Sequence, residues 1–223
     1  MQAGNAHYSS FRDLPETVVL FPLEGALLLP GGRMPLNIFE PRYLQMVEDV
    51  MAGNRLIGMI QPRLDGATRA DGEPELATVG CLGRIVSLSE AGDGRLLIAL
   101  SGVARFRLHE ELTARTPYRQ ARIGAFAEDL KDGAGADEVD RDSLLAAFRA
   151  YLDAHGMEAD WDSVARADNG VLVNALSMMA PYGPAEKQAL LEAPDLRTRA
   201  ATLVALTEMA LAREGGDTGG TLQ

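Results

Sequence analysis

Gly31-Gly32-Arg33-Met34-Pro35-Leu36-Asn37-Ile38-Phe39-Glu40-Pro41-Arg42-Tyr43 is the stretch around which the chain is organised. Met34, Leu36 and Ile38 alternate with Pro35, Asn37 and Phe39, the period of a half-buried strand. Pro41 suits the first turn of a helix, where its missing N–H costs nothing. Tyr43, Leu44, Val47 and Met51 recur at helical spacing, and Gly53 is placed to end that helix. The stretch therefore predicts a strand that turns sharply into an amphipathic helix. Glu40 stands where a carboxylate meets free helix N–H groups. Asn37, Glu40 and Arg42 crowd the corner.

Short extended pieces surround this unit. Thr17–Phe21, Leu27–Pro30, Arg55–Gln61, Val79–Leu88, Arg95–Ser101 and Tyr118–Phe126 read as strands or extended chain. Asp93-Gly94 between two of them is a strong hairpin signal, because both residues tolerate positive φ. In Ala104-Arg105-Phe106-Arg107-Leu108 the alternation predicts Arg105 and Arg107 pointing outward. Residues 63–76 carry Asp-Gly turn signals and a proline and read as a loop. Many short strands with one early helix argue for a barrel or folded sheet.

The composition changes at 128–138, which hold five acids and one lysine among glycines and read as a solvated linker. Beyond it the period is helical. Leu144, Leu145, Phe148, Tyr151 and Leu152 form a stripe closed by Gly156. Asp168 or Asn169 caps a helix through Met179, Pro184 opens another, and Asp195 caps the last, which Gly215-Gly216 stops. The expected organisation is a disordered N-terminus at 1–13, a barrel subdomain at 14–127, a linker at 128–138, a helical bundle at 139–214 and a disordered tail at 215–223. The fold class is α+β.

Charge bounds the partners. The chain of 223 residues carries a net −11, which disfavours polyanions by bulk attraction. The acidity is uneven: residues 1–127 hold 14 acids and 13 arginines, so the barrel is nearly neutral. The single cysteine, Cys81, lies in a strand-like segment and reads as a small buried hydrophobe. No secretory signal and no apolar run of the roughly 20 residues a membrane span needs is present, so the chain reads as cytoplasmic.

The segment Leu20–Gln61 (LFPLEGALLLPGGRMPLNIFEPRYLQMVEDVMAGNRLIGMIQ) resembles the N-terminal, substrate-binding domain of Lon proteases. The FPL, LLPG, PLNIFEPRY and IGMIQP elements stand in family order. The resemblance runs to about Phe126 and continues less specifically to Glu214. It implies a PUA-like β-barrel followed by a C-terminal helical bundle, in a free-standing member without the ATPase and protease domains. It also implies recognition of unfolded or extended polypeptide.

Lon-type chemistry has no carrier among these residues. A phosphate-cradling loop needs GxxxxGK[ST], and no Gly-Lys pair exists. A serine–lysine dyad needs a desolvated lysine. Lys131 sits in the acidic linker and Lys187 near the start of a short helix. His7, His109 and His155 have no metal-ligand spacing. No catalytic residue, metal or cofactor is expected. Glu110-Glu111 and Asp160/Asp162 read as solvated acidic pairs, and Met178-Met179 and Met209 as core filling or an adaptable binding surface.

The candidate polypeptide-binding residues are Asn37, Phe39, Glu40, Arg42 and Tyr43. The same residues admit a structural reading, with Glu40 and Arg42 locking the corner and Phe39 and Tyr43 in the core. The function expected is a non-enzymatic adaptor or weak holdase, with self-association open. The alternative is an RNA-binding protein using Arg105, Arg107, Arg115, Arg119 and Arg122, since PUA-like barrels include RNA-binding members and a fold does not decide function.

Overall fold

A computed structural model describes residues 1–131 and 133–217. Eight strands run in chain order: β1 (Gln2–Ala3), β2 (Ala6–His7), β3 (Thr17–Pro22), β4 (Arg33–Ile38), β5 (Leu56–Ile60), β6 (Val79–Glu90), β7 (Leu96–Leu112) and β8 (Gln120–Ala125). Helix α1 (Pro41–Met51) follows β4. The remaining helices are α2 (Arg141–Ala154), α3 (Trp161–Arg166), α4 (Asn169–Met179), α5 (Pro184–Glu192) and α6 (Leu196–Asp217).

The long strand β7 closes the barrel. Its second half pairs with β8 and its length pairs with β6. Strand β8 pairs with β3, β3 runs parallel to β5, and β5 returns to β6. The first half of β7 carries β4 on its free side, so β4, β7 and β6 form a three-stranded flap beside the barrel mouth. The two sequence segments around Gly102 are thus one strand. A Cβ at Gly102 would sit 2.0 Å from the Leu29 carbonyl oxygen; glycine lets that chain cross the strand closely.

Alternate residues of the barrel strands serve two cores. Leu20, Leu56, Leu82, Phe106 and Ile123 fill the interior. Phe21, Ile57, Met59 and Cys81 face outward into a second core shared with α1 and the C-terminal helices. This second core is continuous from Leu28 through Tyr43 to Leu144, Val173, Leu190 and Leu203. The C-terminal helices pack on one another, with α2, α4 and α5 against α6, and as a group share this core with the barrel.

Several expectations need correction. Residues 1–13 are ordered: β1 and β2 make a hairpin, Ala3 and Tyr8 are buried, and the Met1 amine donates to the Tyr8 and Leu130 carbonyls. Burial of those two side chains against the barrel supplies what a small polar segment lacks locally. The described residues of 128–138 are anchored at one end where a free linker was expected: Leu130 is buried, Asp129 is pinned to Arg105, and 3₁₀ turns run over Ala127–Leu130 and Ala136–Glu138, while Glu128, Lys131, Gly133, Ala134, Asp137 and Glu138 are exposed. The first helix is not ended by Gly53. Arg55 takes the positive φ of 63° and its N–H bonds the Val50 carbonyl. Gly215-Gly216 do not stop α6, which runs to Asp217; the rest of the expected tail, 218–223, lies outside the described residues.

The helix starts follow their caps. Asp140, Asp160 and Asp168 accept from the backbone N–H of Ser143, Ser163 and Gly170 respectively, and Asp195 accepts from Thr198, the usual satisfaction of orphan donors. Asp160 is thus the cap of α3, a short helix the sequence pattern did not reveal, while both Asp160 and Asp162 remain exposed to solvent as expected.

Candidate functional site

The corner after β4 is polar and half-exposed. Arg42 Nε donates to Glu40 at 3.0 Å and its Nη1 to Glu73 at 3.1 Å. Its guanidinium also lies 4.7 Å from the centroid of the Tyr43 ring, a favourable cation–π arrangement. Glu40 makes no side-chain cap; only its carbonyl accepts helix N–H groups, from Tyr43 and Leu44. The arginine draws the carboxylate away from the helix end. Tyr43 is core, with its ring 4.3 Å from that of Phe21, and burial pushes its phenol above the ordinary value.

Phe39 is not core: it is 62% exposed. Strand register shows why it matters. Asn37 stands directly opposite Leu97, which stands opposite Ser89. Pro35 stands opposite Ala99, which faces Ser87. Side chains directly opposite in an antiparallel pair share a face. The outer face of the flap therefore presents Pro35, Asn37 and Leu97, with Leu97 47% exposed and Phe39 just past the strand end. Met34, Leu36 and Ile38 point the other way, into the core. Leu97 was invisible to sequence reasoning as a site residue, since only the pairing brings it to Asn37.

A cavity of 300 Å³ opens beside Arg42, lined also by Arg69, Glu73, Glu111, Tyr118 and Arg119. Its charges are mutually engaged. Arg119 pairs with Glu111 at 2.6 Å and Arg69 bridges Glu111 and Asp71, both at 2.8 Å. The Tyr118 hydroxyl donates to Asp49 at 2.5 Å. Burial first, and then that carboxylate, push the Tyr118 phenol up to about 12.

The arginines of the alternative site do not form one free cationic face. Arg105, expected to point outward, is 3% exposed. It pairs with Asp129 at 2.8 Å and donates to the carbonyls of Leu191 and Ala193. Arg119 is tied to Glu111 as above, and Arg122 is paired with Glu110. Arg107 lies against the Phe126 ring, and Arg115 is exposed. Glu110 and Glu111 are therefore ion-pair partners rather than a bare acidic pair.

The other titratable candidates have structural surroundings. Cys81 is fully buried and desolvation raises its pKa well above the ordinary thiol value. Lys187 donates to the Gly25 carbonyl at 3.0 Å, and Lys131 pairs with Glu128. Among the described residues no three His, Cys, Asp or Glu side chains gather as a metal site. Met179 is 78% exposed and Met209 51%, so neither fills the core; Met178 is half-buried over Gly32.

The fold is a closed barrel with a projecting flap whose outer face carries the exposed Phe39 and Leu97, and helices packed against it. The chain belongs to the family of the ATP-dependent protease La (LON) substrate-binding domain, whose model matches residues 17–208. It is 28% identical over 195 residues to Lon protease 2 of Myxococcus xanthus, covering 84% of this chain and 23% of that protein. It is 29% identical over 202 residues to Lon protease 2 of Sorangium cellulosum, covering 86% and 24%. The chain thus spans about a quarter of the length of these relatives. Two solved structures share the fold. One is a Lon N-terminal domain protein from Xanthomonas campestris, with TM-score 0.62 and 23% identity over 85% of this chain and 97% of that one. The other is the N-terminal domain of Mycobacterium avium complex Lon protease, with TM-score 0.65 and 16% identity over 86% and 98%. Among the described residues no helix is long and apolar enough to cross a membrane.

Proposed function

We propose that this chain binds extended, partly unfolded polypeptide on the outer face of the β4–β7–β6 flap, without chemistry of its own, as an adaptor or weak holdase in protein quality control. The observation that carries the reading is the exposure of Phe39 and Leu97 on either side of Asn37. Two large apolar side chains left in water around an amide suit a segment that offers both apolar side chains and backbone hydrogen-bond groups. Glu40 and Arg42 form the polar rim of that face, and Tyr43 supports Arg42 from below.

Pro35 shapes the mode. It has no N–H, so it cannot contribute a donor to a strand added along β4. The client is therefore held mainly by side-chain contact with Phe39 and Leu97, and pairs with the edge only around Asn37. Small transient interfaces of this kind reach about micromolar affinity or weaker.

The test is a titration of a labelled, permanently unfolded polypeptide against the wild type and a Phe39→Ser/Leu97→Ser variant, each at low and high salt. The expected result is weak, salt-insensitive binding by the wild type, because burying apolar surface displaces no counterions. The double variant loses at least about tenfold, since each buried apolar side chain contributes about 1.5–3 kcal/mol. Unchanged binding by the variant overturns the site. Salt-sensitive binding of single-stranded RNA that weakens on Arg107→Ala and Arg115→Ala overturns the client class.

A further inference from the structure

The chain carries a net −11, yet its outer flap face is cationic. Strand register puts Pro35, Asn37, Leu97, Ala99, Ser87 and Ser89 on that face, and none of them is charged. The charged positions in the same register are two arginines. Arg33 opens β4 and stands opposite Ser101, which stands opposite Arg84, and residues directly opposite share a face. Both cations lie at one end of the flap. Phe39 lies at the other, just past the end of β4 at Ile38.

Neither cation is neutralised within the chain. Arg33 is exposed, and among the described residues its side chain makes no hydrogen bond, ion pair or ring contact. Arg84 donates to the Asn54 carbonyl at 2.7 Å, to Asn5 Oδ1 at 3.2 Å and to the Tyr8 hydroxyl at 3.4 Å, all uncharged oxygens. Arg42, at the Phe39 end, is by contrast held by Glu40 and Glu73. The ladder with β7 runs unbroken from Arg33 to Ile38 and fixes the spacing between charge and apolar anchor. Arg33 and Asn37 are four residues apart, about 13 Å along a strand. A client lying extended beside β4 rises at the same rate, and only even separations keep two of its side chains on one face.

We propose that the flap face selects extended polypeptide segments that carry an Asp or Glu four residues from their apolar anchor. The anchor sits at Asn37 and Leu97, Arg33 receives the carboxylate, and the uncompensated charge of Arg84 adds to the local field. The inference rests on the flap-face reading above and gives its client a charge and a spacing. The net charge of the whole chain opposes such a client only weakly, because exposed charges more than about 10 Å away are screened at 0.1 M salt.

The probes are labelled unfolded peptides with two leucines two positions apart and one test residue, Glu, Gln or Lys, four residues from the nearer leucine, on its N-terminal or its C-terminal side. Each is titrated into the full chain by fluorescence anisotropy at low and high salt. The Glu peptide is expected to bind about 1.5- to fivefold more tightly than the Gln peptide, the worth of one exposed ion pair, and the Lys peptide more weakly than either. The preference should appear on one side of the leucines, which reads the direction of the bound strand. It should fade at high salt while the apolar part of the affinity stays. Moving the test residue to five positions turns it to the other face and should abolish the preference. Arg33→Gln should equalise the three peptides and Arg33→Glu should invert their order; the side chain is exposed, so neither variant threatens the fold. Equal binding of the Glu, Gln and Lys peptides by the wild type, or an unchanged preference in Arg33→Glu, overturns this inference and leaves the flap-face reading standing. Binding of none of the peptides overturns both.

Discussion

Two arginines, Arg42 and Arg105, each sit beside a carboxylate and an aromatic ring, and they do opposite things. Arg42 is at the flap corner with 37% of its side chain exposed, and its partners Glu40 and Glu73 are more exposed still. Arg105 is 3% exposed and its partner Asp129 9%. Arg105 also spends its remaining donors on carbonyls at the end of α5 and in the turn to α6. In water the first pair gains little, because the medium screens it and the side chains lose freedom. The second cannot be broken without leaving a charge in the core. The same residue type is thus an accessible rim group in one place and a rivet between barrel and helices in the other. Burial, not pairing, makes the difference.

The largest expected effect breaks the rivet. Asp129→Ala strands the Arg105 charge and should cost about 3–5 kcal/mol in urea unfolding. A loss of under about 1 kcal/mol, the value of an exposed pair, would show that water reaches Arg105. The same variant should open 128–138 to limited proteolysis. In the wild type the first cut is expected within 63–76 instead, where the backbone is held by two isolated bridges and surface ion pairs. A first wild-type cut within 128–138 would refute the packed reading of that segment.

Arg119 lies between the two extremes. Its side chain is 12% exposed, with two bonds to Glu111 and one to the Pro74 carbonyl. Arg119→Ala should cost about 1.5–3 kcal/mol, the range for hydrogen bonds to charged groups. A smaller loss than that of Arg42→Ala would break the ranking by burial.

Arg42→Ala should cost roughly 0–1 kcal/mol, since its ion pairs are more than one-third exposed. Its effect belongs to the flap face, and the check is a urea midpoint close to wild type together with weaker polypeptide binding. A loss of about 3 kcal/mol or more would return Arg42 to the class of buried locks.

The smallest effect is electrostatic and local. Backbone and side-chain hydrogen bonds hold the Asp140, Asp160 and Asp195 carboxyls below the ordinary value. A lowered folded-state pKa contributes stability that is complete above the unfolded value and is lost as pH falls through the folded one. Helicity in the C-terminal part should therefore weaken below about pH 4. Asp140→Asn and Asp160→Asn together should flatten that dependence, as followed by far-UV circular dichroism. A helicity profile in the double variant identical to wild type would remove the caps from the account.

Local rules made much of this legible from sequence. The alternation of Met34, Leu36 and Ile38, Pro41 at a helix start, the turn at Asp93-Gly94 and the caps at Asp168 and Asp195 each depend on neighbours within a few residues. Where alternation failed, tertiary packing had intervened. Alternation with Ala104 and Phe106 predicts a solvent-facing Arg105. The helices cover that outer face of the barrel, so an outward side chain is still buried. The N-terminal hairpin and the 128–138 segment lacked hydrophobic period, yet Ala3, Tyr8 and Leu130 need only a few contacts with an existing core to be held.

The sequence by itself determined most of the barrel strands, helix α1, the starts of α4, α5 and α6, and the family, because backbone preference and hydrophobic period are short-range. Only the tertiary structure decided which polar and apolar groups meet. Asn37 and Leu97 are joined by strand register. Arg105 and Asp129 meet across the closure of barrel and helices, and Arg199 lies buried beside Asn174 where helices pack. Such juxtapositions depend on how surfaces exclude water, which no window of local sequence records.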